Sequence, residues 1–206
     1  MGGHMRKILL SAALAATALI VLPVSSANAL LLETTRDCEA RAITNPFAPW
    51  GDNADYVLAP DGAVENGAGE WTLRGGAQVV QGNSPFYSRS SSDTRSLFIP
   101  KGGSVTSGTM CIGKEHPTIR FFAKNQSSWT SFLDVQVEVE TVFGREISLP
   151  IGIERGNQVW EPSSSMRLIV NYLNLRPNTY TPVEFKFSAR NGDWLIDDVY
   201  IDPKRN

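Results

Sequence analysis

Histidine and cysteine, on which much metal and nucleophile chemistry depends, are scarce in this chain. Of the two histidines, His4 lies at the start of the chain, so His116 is the one imidazole in the rest of the sequence. A Ser-His-Asp catalytic triad or a Cys-His catalytic dyad would have to use His116. The sequence contains no G-x-S-x-G, H-E-x-x-H or C-x-x-C motif. These absences argue against triad hydrolases and against a zinc site.

An excess of basic residues is also absent. The chain contains 19 Lys and Arg residues and 21 Asp and Glu residues, which give a formal net charge of −2. Without Arg6 and Lys7, which belong to the leader described next, 17 basic residues remain against 21 acidic ones, a net charge of −4. Nucleic-acid binding needs a concentrated basic face, so we expect no nucleic-acid partner.

Long apolar runs are missing from the chain except at its N-terminus. Residues 8–24 are almost entirely apolar, follow Arg6 and Lys7, and precede Ala-Asn-Ala at residues 27–29. These are the three parts of a secretory signal peptide. We therefore predict a signal peptide over residues 1–29 and a secreted mature chain without a membrane span. The alternative is an uncleaved leader that anchors the protein in the membrane.

Two cysteines, Cys38 and Cys111, remain in the mature chain. An even pair in an exported protein most simply forms one disulfide, because the compartment is oxidising. A metal-binding or catalytic pair would need further ligands, and the sequence nearby offers none. The disulfide would close a long loop, worth roughly 4 kcal/mol in the chain-entropy model. It would pin residues 30–54, an N-terminal segment without sustained periodicity, to the rest of the chain.

Strand signals dominate the remaining sequence. Residues 132–142 alternate apolar and polar side chains, which indicates a strand with one buried face. Gly144 then turns the chain into residues 145–153, so these segments are predicted to form an antiparallel hairpin. Further predicted strands cover residues 96–100, 104–112, 118–124 and 183–189, with a pair of short strands around Gly75-Gly76 as a hairpin signal. Residues 165–175 fit either a helix or a strand followed by a short helical turn.

Many short strands, Gly and Pro turns and little helix are typical of an all-β sandwich. The sequence shows no internal repeat and no linker that would divide it. We therefore predict one antiparallel β-sandwich domain over residues 55–206, with the N-terminal segment of residues 30–54 packed on it.

The last predicted strand, WLIDDVYIDP at residues 194–203, contains aspartates inside an apolar run. Strict alternation would place Leu195, Asp197, Val199 and Ile201 on one face, and Trp194, Ile196, Asp198 and Tyr200 on the other. Whichever face is inward then carries one aspartate. A lone buried carboxylate is costly unless a cation or several donors meet it.

Three blocks of the sequence form a recognisable set: GAVENGAGEWTLRGGAQVVQG (62–82), SLFIPKGGSVTS (96–107) and the last strand WLIDDVYIDP. Together they resemble the galactose-binding-like jelly roll of carbohydrate-binding modules. In that family an early turn with Glu and Trp meets a late Ile-Asp-Asp strand at one end of the sandwich, often around a structural calcium ion. The resemblance covers roughly residues 60–203 and implies a jelly-roll sandwich.

A closer likeness is to an uncharacterised family of secreted bacterial proteins. It rests on the blocks NPFAPWGD (45–52), HPTIRFFA (116–123) and IDDVYIDP (196–203). This likeness implies a fold and no activity.

Carried over from the jelly-roll family, the resemblance implies that Glu65 and Asp197 are calcium ligands, with Asp198 as the alternate. Carboxylate and carbonyl oxygens are the ligands that Ca²⁺ prefers. The alternative is that these carboxylates cap turns or pair with Arg74 or Lys204.

Aromatic side chains on polar loops are the candidate ligand-binding residues. Sugar-binding proteins use aromatic rings as platforms for the apolar face of a pyranose. Trp129 is the first candidate, in NQSSWTS, followed by Tyr87, Phe86 and Trp160. The alternative for each ring is that it folds back over the end of the sandwich.

Paired carboxylates are the one enzymatic signal. Glu138 and Glu140 share a strand face, with Asp134 further along it, and some retaining glycosidases carry alternate carboxylates on one strand. In this chain Gln136 stands where such a strand would have its middle carboxylate, and a solvated polar face explains the same residues. We therefore predict a secreted non-catalytic protein that binds a glycan or cell-envelope polymer. The alternatives are a structural or adhesive envelope protein and, less favoured, a glycoside hydrolase.

Overall fold

The computed structural model describes residues 31–174 and 176–202. They form two antiparallel β-sheets packed face to face with little helix, so the predicted all-β sandwich is confirmed. The leader predicted over residues 1–29 lies outside the described residues. No helix in the described part is long and apolar enough to cross a membrane.

The described residues form fourteen strands, which are short except for five in the second half of the chain. In chain order they are β1 (Ile43–Thr44), β2 (Tyr56–Leu58), β3 (Thr72–Arg74), β4 (Gln78–Gln81), β5 (Arg95–Ile99), β6 (Ser104–Thr106), β7 (Met110–Ile112), β8 (Thr118–Asn125), β9 (Phe132–Glu140), β10 (Glu146–Glu154), β11 (Glu161–Pro162), β12 (Met166–Arg167), β13 (Thr181–Arg190) and β14 (Trp194–Ile201). Two 3-10 helices cover Ala48–Trp50 and Ile169–Tyr172.

Each sheet is organised around long strands. Sheet A has eight strands, in which β14 pairs with β2 and β5 on one side and β8 on the other; β1, β4, β11 and β12 extend it. Sheet B has six strands in the order β10-β9-β13-β6-β3, with β7 also paired to β13. β9 and β10 form the predicted antiparallel hairpin.

The core lies between the sheets and follows the predicted alternation. Four β9 side chains are buried in it: Leu133, Val135, Val137 and Val139. From the neighbouring strand β13, Val183, Phe185 and Phe187 are buried beside them. The alternate positions of both strands form the polar outer face of sheet B.

Two sequence predictions about short strands are wrong. The strands around Gly75-Gly76 do not form a hairpin, because β3 pairs with β6 in sheet B and β4 with β5 in sheet A. Gly75 has φ +64°, and a Cβ there would lie 2.9 Å from Gly103 Cα, so the glycines carry the chain between the sheets. Residues 104–112 form two strands, β6 and β7, instead of one. At the break between them the Ser107 hydroxyl accepts a hydrogen bond from the Phe185 N–H.

Of the segment predicted over residues 165–175, residues 165–174 are described, and they form a strand followed by a short helical turn, the second of the two alternatives. The two-residue strand β12 runs into the 3-10 helix Ile169–Tyr172. Leu168 and Val170 are fully buried there and close the side of the core.

The strict alternation predicted for the last strand is wrong beyond Asp197. Asp197 lies opposite Phe122 of β8 and Tyr200 lies opposite Arg120, so one extra residue forms a β-bulge. Asp198 is in the bulge, with φ +48°. After it, Val199 and Ile201 point into the core, while Tyr200 points to the outer side of sheet A.

The N-terminal segment covers the outer face of sheet A. Strand β1 pairs with β2, and a disulfide joins Cys38 to Cys111 with a Cα–Cα distance of 6.0 Å, which confirms the predicted bridge. Phe47 is fully buried, with its ring 5.1 Å from that of Phe122. Phe47, Tyr56, Phe122 and Tyr200 form a second apolar cluster outside the main core.

Candidate functional site

Trp129 lies on the loop that joins β8 to β9, at one end of the sandwich. Its side chain is 85% exposed. The loop is nonetheless held by Asn125, whose side-chain nitrogen donates to Ser128 O (3.0 Å) and whose side-chain oxygen accepts the Ser127 N–H (2.8 Å). The loop therefore presents an exposed indole from a hydrogen-bonded base.

Neighbouring turns also hold this loop. The Asp193 N–H donates to Ser127 Oγ (2.9 Å), and a Cβ on Gly192 would lie only 2.4 Å from Ser127 Cβ. The buried Trp194 indole N–H donates to Ser131 Oγ (2.7 Å) at the other end of the loop. These contacts hold both ends of the loop that carries Trp129, which reduces the backbone entropy that binding would have to remove.

The other three predicted aromatics lie apart from the Trp129 side chain. Phe86 and Trp160 are half-buried against the second apolar cluster on sheet A. Tyr87 is 50% exposed beside Phe86 and has φ +50°. The structure thus brings Phe86 and Trp160 to the outer face of sheet A, whereas Trp129 lies on the loop between β8 and β9.

Trp50 joins this second group, although it was not among the predicted site residues. It is 39% exposed, and its ring meets Phe86 edge to face at 4.6 Å. The signal for it was the block NPFAPWGD, which places Trp50 directly after buried Phe47 and a proline-rich turn. Its contact with Phe86, distant in sequence, could only come from the fold.

Asp52 anchors the turn that carries Trp50. Its carboxylate accepts hydrogen bonds from Tyr56 Oη (2.7 Å) and Arg120 Nη1 (2.6 Å). Burial acts to raise the pKa of Asp52, but the hydrogen bonds from Tyr56 and Ala54 and the Arg120 charge together lower it. Asp52 is therefore an ionised structural partner of Arg120.

The predicted metal ligands Asp197 and Asp198 are both buried at the β14 bulge. Asp197 Oδ2 accepts the Ser84 N–H (2.8 Å), whereas Asp198 Oδ1 has no hydrogen-bond partner among the described residues. Burial raises the pKa of both carboxyls, and for Asp198 the adjacent Asp197 charge raises it further. The pair therefore lacks the positive charge that ionised buried carboxylates need.

Other charged residues surround this pair. The charges of Asp93 and Glu65 also raise the Asp198 pKa, while Arg89, which pairs with Asp93, lowers it. Glu65 Oε1 accepts the N–H groups of Thr94 (2.8 Å) and Arg95 (2.7 Å). Glu65 therefore caps backbone N–H groups, which is the alternative to a ligand role given above. Asp93 and Arg89 belong to the same cluster, and the sequence analysis missed them.

The donors of this cluster fit a hard cation only in part. The acidic charges of Asp93 and Glu65 add to that of the pair, Arg89 opposes them, and one buried Asp198 oxygen has no hydrogen-bond partner among the described residues. However, no three carboxylate, imidazole or thiolate groups of the described residues lie close enough to ligate one ion. Asp197 and Asp198 would therefore need backbone carbonyls or water as further ligands.

The carboxylates considered for hydrolysis line a cavity of about 330 Å³ on the outer face of sheet B. Glu138 is buried and forms an ion pair with Lys186 (2.8 Å), and it also accepts from Ser148 Oγ (3.0 Å). Glu140 is exposed, and Glu184 lies opposite Glu138 in the adjacent strand. Lys186 thus pairs with one of the two carboxylates that hydrolysis would require.

His116 lies away from these carboxylates, in the turn before β8. Its Nδ1 accepts the Gly113 N–H (3.0 Å), so the ring is bonded to its own turn. Burial lowers its pKa, and the neighbouring Glu115 charge partly offsets this. The ring therefore serves the local structure of the turn.

No protein-family model matches this chain, and no curated protein matches it. Among solved structures it is similar to the CBM22-1 xylan-binding domain of Paenibacillus barcinonensis Xyn10C, with 14% identity over 74% of this chain and 97% of that one and a TM-score of 0.49. A carbohydrate-binding module of family 61, in complex with β-1,4-galactotriose, matches 71% of this chain and 97% of its own, with 16% identity and a TM-score of 0.41.

A third similar structure contains two modules of a larger enzyme. It is the CBM22-1 and GH10 part of Clostridium thermocellum endo-1,4-β-D-xylanase 10B complexed with xylohexaose, with 17% identity and a TM-score of 0.49. The match covers 68% of this chain and 27% of that one, so this chain spans about a quarter of it. Identities below 20% and TM-scores below 0.5 transfer no ligand or residue role.

Proposed function

We propose that this protein is a secreted, non-catalytic glycan-binding protein in which Trp129 stacks on a sugar ring. One observation carries the proposal: a tryptophan that is 85% exposed stands on a loop tied by hydrogen bonds to the turn at Asp193 and to the loop at Asn157. An exposed indole has no role in the core. A planar aromatic face suits the apolar side of a pyranose, and a fixed loop lowers the entropy lost on binding.

The surroundings of Trp129 are suited to sugar hydroxyl groups. Gln126, Ser128, Thr130 and Asn157 are exposed polar residues on the same loop or on the loop next to it. The likeness of the last strand and the early Glu–Trp turn to carbohydrate-binding modules supports the same function. The predicted signal peptide supports export, which would bring the protein to cell-envelope or extracellular polysaccharide.

We further propose Ca²⁺ as a structural cofactor at the β14 bulge. Asp197 and Asp198 would hold it, with backbone carbonyls or water completing the ligand set. The ion would supply the positive charge that the buried carboxylates lack and so favour their ionised forms.

The Trp129→Ala variant tests the glycan proposal directly. The probes are xylan, β-1,4-galactan, cellulose, chitin and peptidoglycan in a pull-down assay. We expect wild type to bind at least one of them and Trp129→Ala to lose most of that binding. The melting temperature should change little, since an exposed ring contributes little to the core, whereas a buried Trp would cost roughly 3–5 kcal/mol.

Phe143→Ala is the matched control. Phe143 is 82% exposed on the turn after β9, at the opposite end of that strand from Trp129, and its loss should leave binding unchanged. If wild type binds none of the polysaccharides, the proposal is wrong. Self-assembly of the purified protein in size-exclusion chromatography would then favour the structural or adhesive alternative.

A further inference from the structure

A second aromatic surface lies on the outer face of sheet A, and we call it the Trp50 patch. Of its members, Trp50 and Phe86 are in ring contact, Trp160 packs on the same apolar cluster, and the exposed Tyr87 follows Phe86 in the chain. Trp50 and Tyr87 are its exposed rings, at 39% and 50%, while Phe86 joins them by its edge-to-face contact with Trp50. The exposed face of a single ring in this patch, that of Trp50, could stack on a sugar as proposed for Trp129.

The rings of the patch are supported from beneath. Phe86 and Trp50 both contact the buried Phe122 ring, at centroid distances of 5.2 and 5.5 Å. Trp50 ends a 3-10 turn in which its N–H donates to Phe47 O (3.0 Å), and Gly51 closes that turn with φ +78°. The patch is therefore part of the packed fold, and binding would not have to order it first.

Tyr87 adds an independent observation. It has φ +50°, a left-handed backbone conformation that is costly for a residue with a bulky side chain. Such strain is concentrated at functional sites, where the surrounding structure maintains it. Here the strained residue is an exposed aromatic one beside Phe86, where a tyrosine has no packing role in the main core.

Strands β8 and β11 connect the Trp50 patch to the Trp129 loop. Glu161 of β11 pairs with Ala123 of β8, so Trp160 stands next to the end of β8. The Asn125 N–H donates to Asn157 O (2.9 Å), and the Gln158 side chain donates to Ser127 O, which joins the loop before Trp160 to the Trp129 loop. From Phe122, under Trp50, to Asn125 the strand advances about 10 Å. The segments that carry the two aromatic surfaces are thus joined by backbone pairing and hydrogen bonds.

We infer that the Trp50 patch is a second subsite for the same glycan, so that the ligand is an extended polysaccharide chain rather than a mono- or disaccharide. This inference rests on the proposed function. A chain lying along the outer side of β8 and β11 would stack one sugar unit on Trp129 and another on Trp50 or Tyr87. The N-terminal segment, which supplies Trp50, then belongs to the binding site as well as to the packing of sheet A.

Titration calorimetry with oligosaccharides of increasing length tests the inference. Oligosaccharides of two, four and six units are prepared from the polysaccharide that wild type retains. We expect wild type to bind the hexasaccharide about tenfold or more tightly than the disaccharide. Trp50→Leu should weaken hexasaccharide binding by about 3- to 10-fold, the range for loss of one aromatic contact, and leave disaccharide binding at Trp129 unchanged.

Leucine at position 50 keeps an apolar side chain against Phe86 and Phe122, so the turn should stay folded. Tyr87→Ala, at an exposed ring, is a second variant with the same expected effect, and Phe143→Ala is the control without effect. An affinity that does not depend on chain length, or hexasaccharide binding unaffected by both patch variants, would overturn the inference. Loss of binding in Trp129→Ala would in that case still support the proposed function.

Discussion

Asp197 and Asp198 are adjacent, buried, and placed on a β-bulge rather than in a regular strand. The bulge matters because Asp198 tolerates the left-handed conformation that most residues avoid. Asp197 is then directed to the Ser84 N–H on the outer side of sheet A, while Val199 and Ile201 still reach the core. Two carboxylates are thus accommodated without displacing apolar side chains, but their charge is not balanced by the described residues.

The unbalanced charge predicts a pH dependence of stability when calcium is absent. Burial raises the pKa of Asp197 to about 7 and that of Asp198 to about 8. The folded state therefore binds protons that the unfolded state releases, so this stabilisation is present at low pH and is lost as the pH rises through 7 and 8. In EDTA, we expect the melting temperature of wild type to fall between pH 5 and pH 9.

Asp198→Asn should reduce that fall, because the amide stays neutral and asparagine also tolerates a positive φ. Asp37→Asn is the control, since Asp37 is exposed and distant from the bulge in sequence. A melting temperature of wild type that rises or stays constant over the same pH range would contradict the assigned burial effect.

Calcium should stabilise the ionised forms of Asp197 and Asp198, the forms that burial disfavours. At pH 8, we expect the melting temperature to be higher in millimolar Ca²⁺ than in excess EDTA, because an ion bound only to the folded state stabilises it. Mg²⁺ serves as the comparison, since it demands a stricter octahedral geometry. An equal melting temperature in calcium and in chelator would remove the structural-calcium proposal.

Among the elements, β9 and β14 illustrate two different relations between sequence and register. In β9 the side chains at Leu133, Val135, Val137 and Val139 follow strict alternation, so both sequence and structure put them on one face. In β14 the alternation is interrupted at one residue, the bulge residue Asp198. A strand with a bulge can therefore lose a residue without turning its apolar side chains to the wrong face.

Deleting Asp198 should consequently be tolerated better than deleting a residue from a regular strand. Removal of the bulge residue leaves Asp197, Val199 and Tyr200 on the faces that they already occupy. Deletion of Lys186 from β13 would instead turn Phe187 or Phe185 away from the core. We expect soluble, folded protein for the first variant and aggregation for the second, compared by circular dichroism and soluble yield. Similar loss of fold in both would contradict the bulge assignment.

For the whole molecule, the disulfide ties the N-terminal segment to sheet B, while that segment covers the outer face of sheet A. Cys111 lies in β7, and the segment that follows Cys38 supplies β1, Phe47 and Trp50. In the unfolded chain the bridge therefore keeps the segment that follows Cys38 close to the residues of β7.

Replacing both cysteines with serine should lower the free energy of unfolding by about 2–5 kcal/mol, the usual cost of removing a disulfide from a small secreted domain. Urea denaturation of the variant and of wild type, each with and without reductant, measures this. Reductant should have no effect on the double variant, which is the control for its direct action. An unchanged urea midpoint in the double variant would show that the bridge contributes nothing.

The sequence alone determined the class of fold, because period-two alternation depends only on which side chains avoid water. It was enough to predict β9, β13, the β9–β10 hairpin and the Cys38–Cys111 pair, since these rest on local pattern and on cysteine number. It also identified Trp129 as a ring on a polar loop. All of these follow from the properties of neighbouring residues.

The tertiary structure decided which distant segments meet. The strands on either side of Gly75-Gly76 part into different sheets because each finds its hydrogen-bonding partner elsewhere in the chain. Trp50 meets Phe86, and Asp198 meets Asp93 and Glu65, across long separations that no local pattern encodes. The bulge at Asp198 likewise arises from pairing with β8, since register is a property of two strands together and not of one.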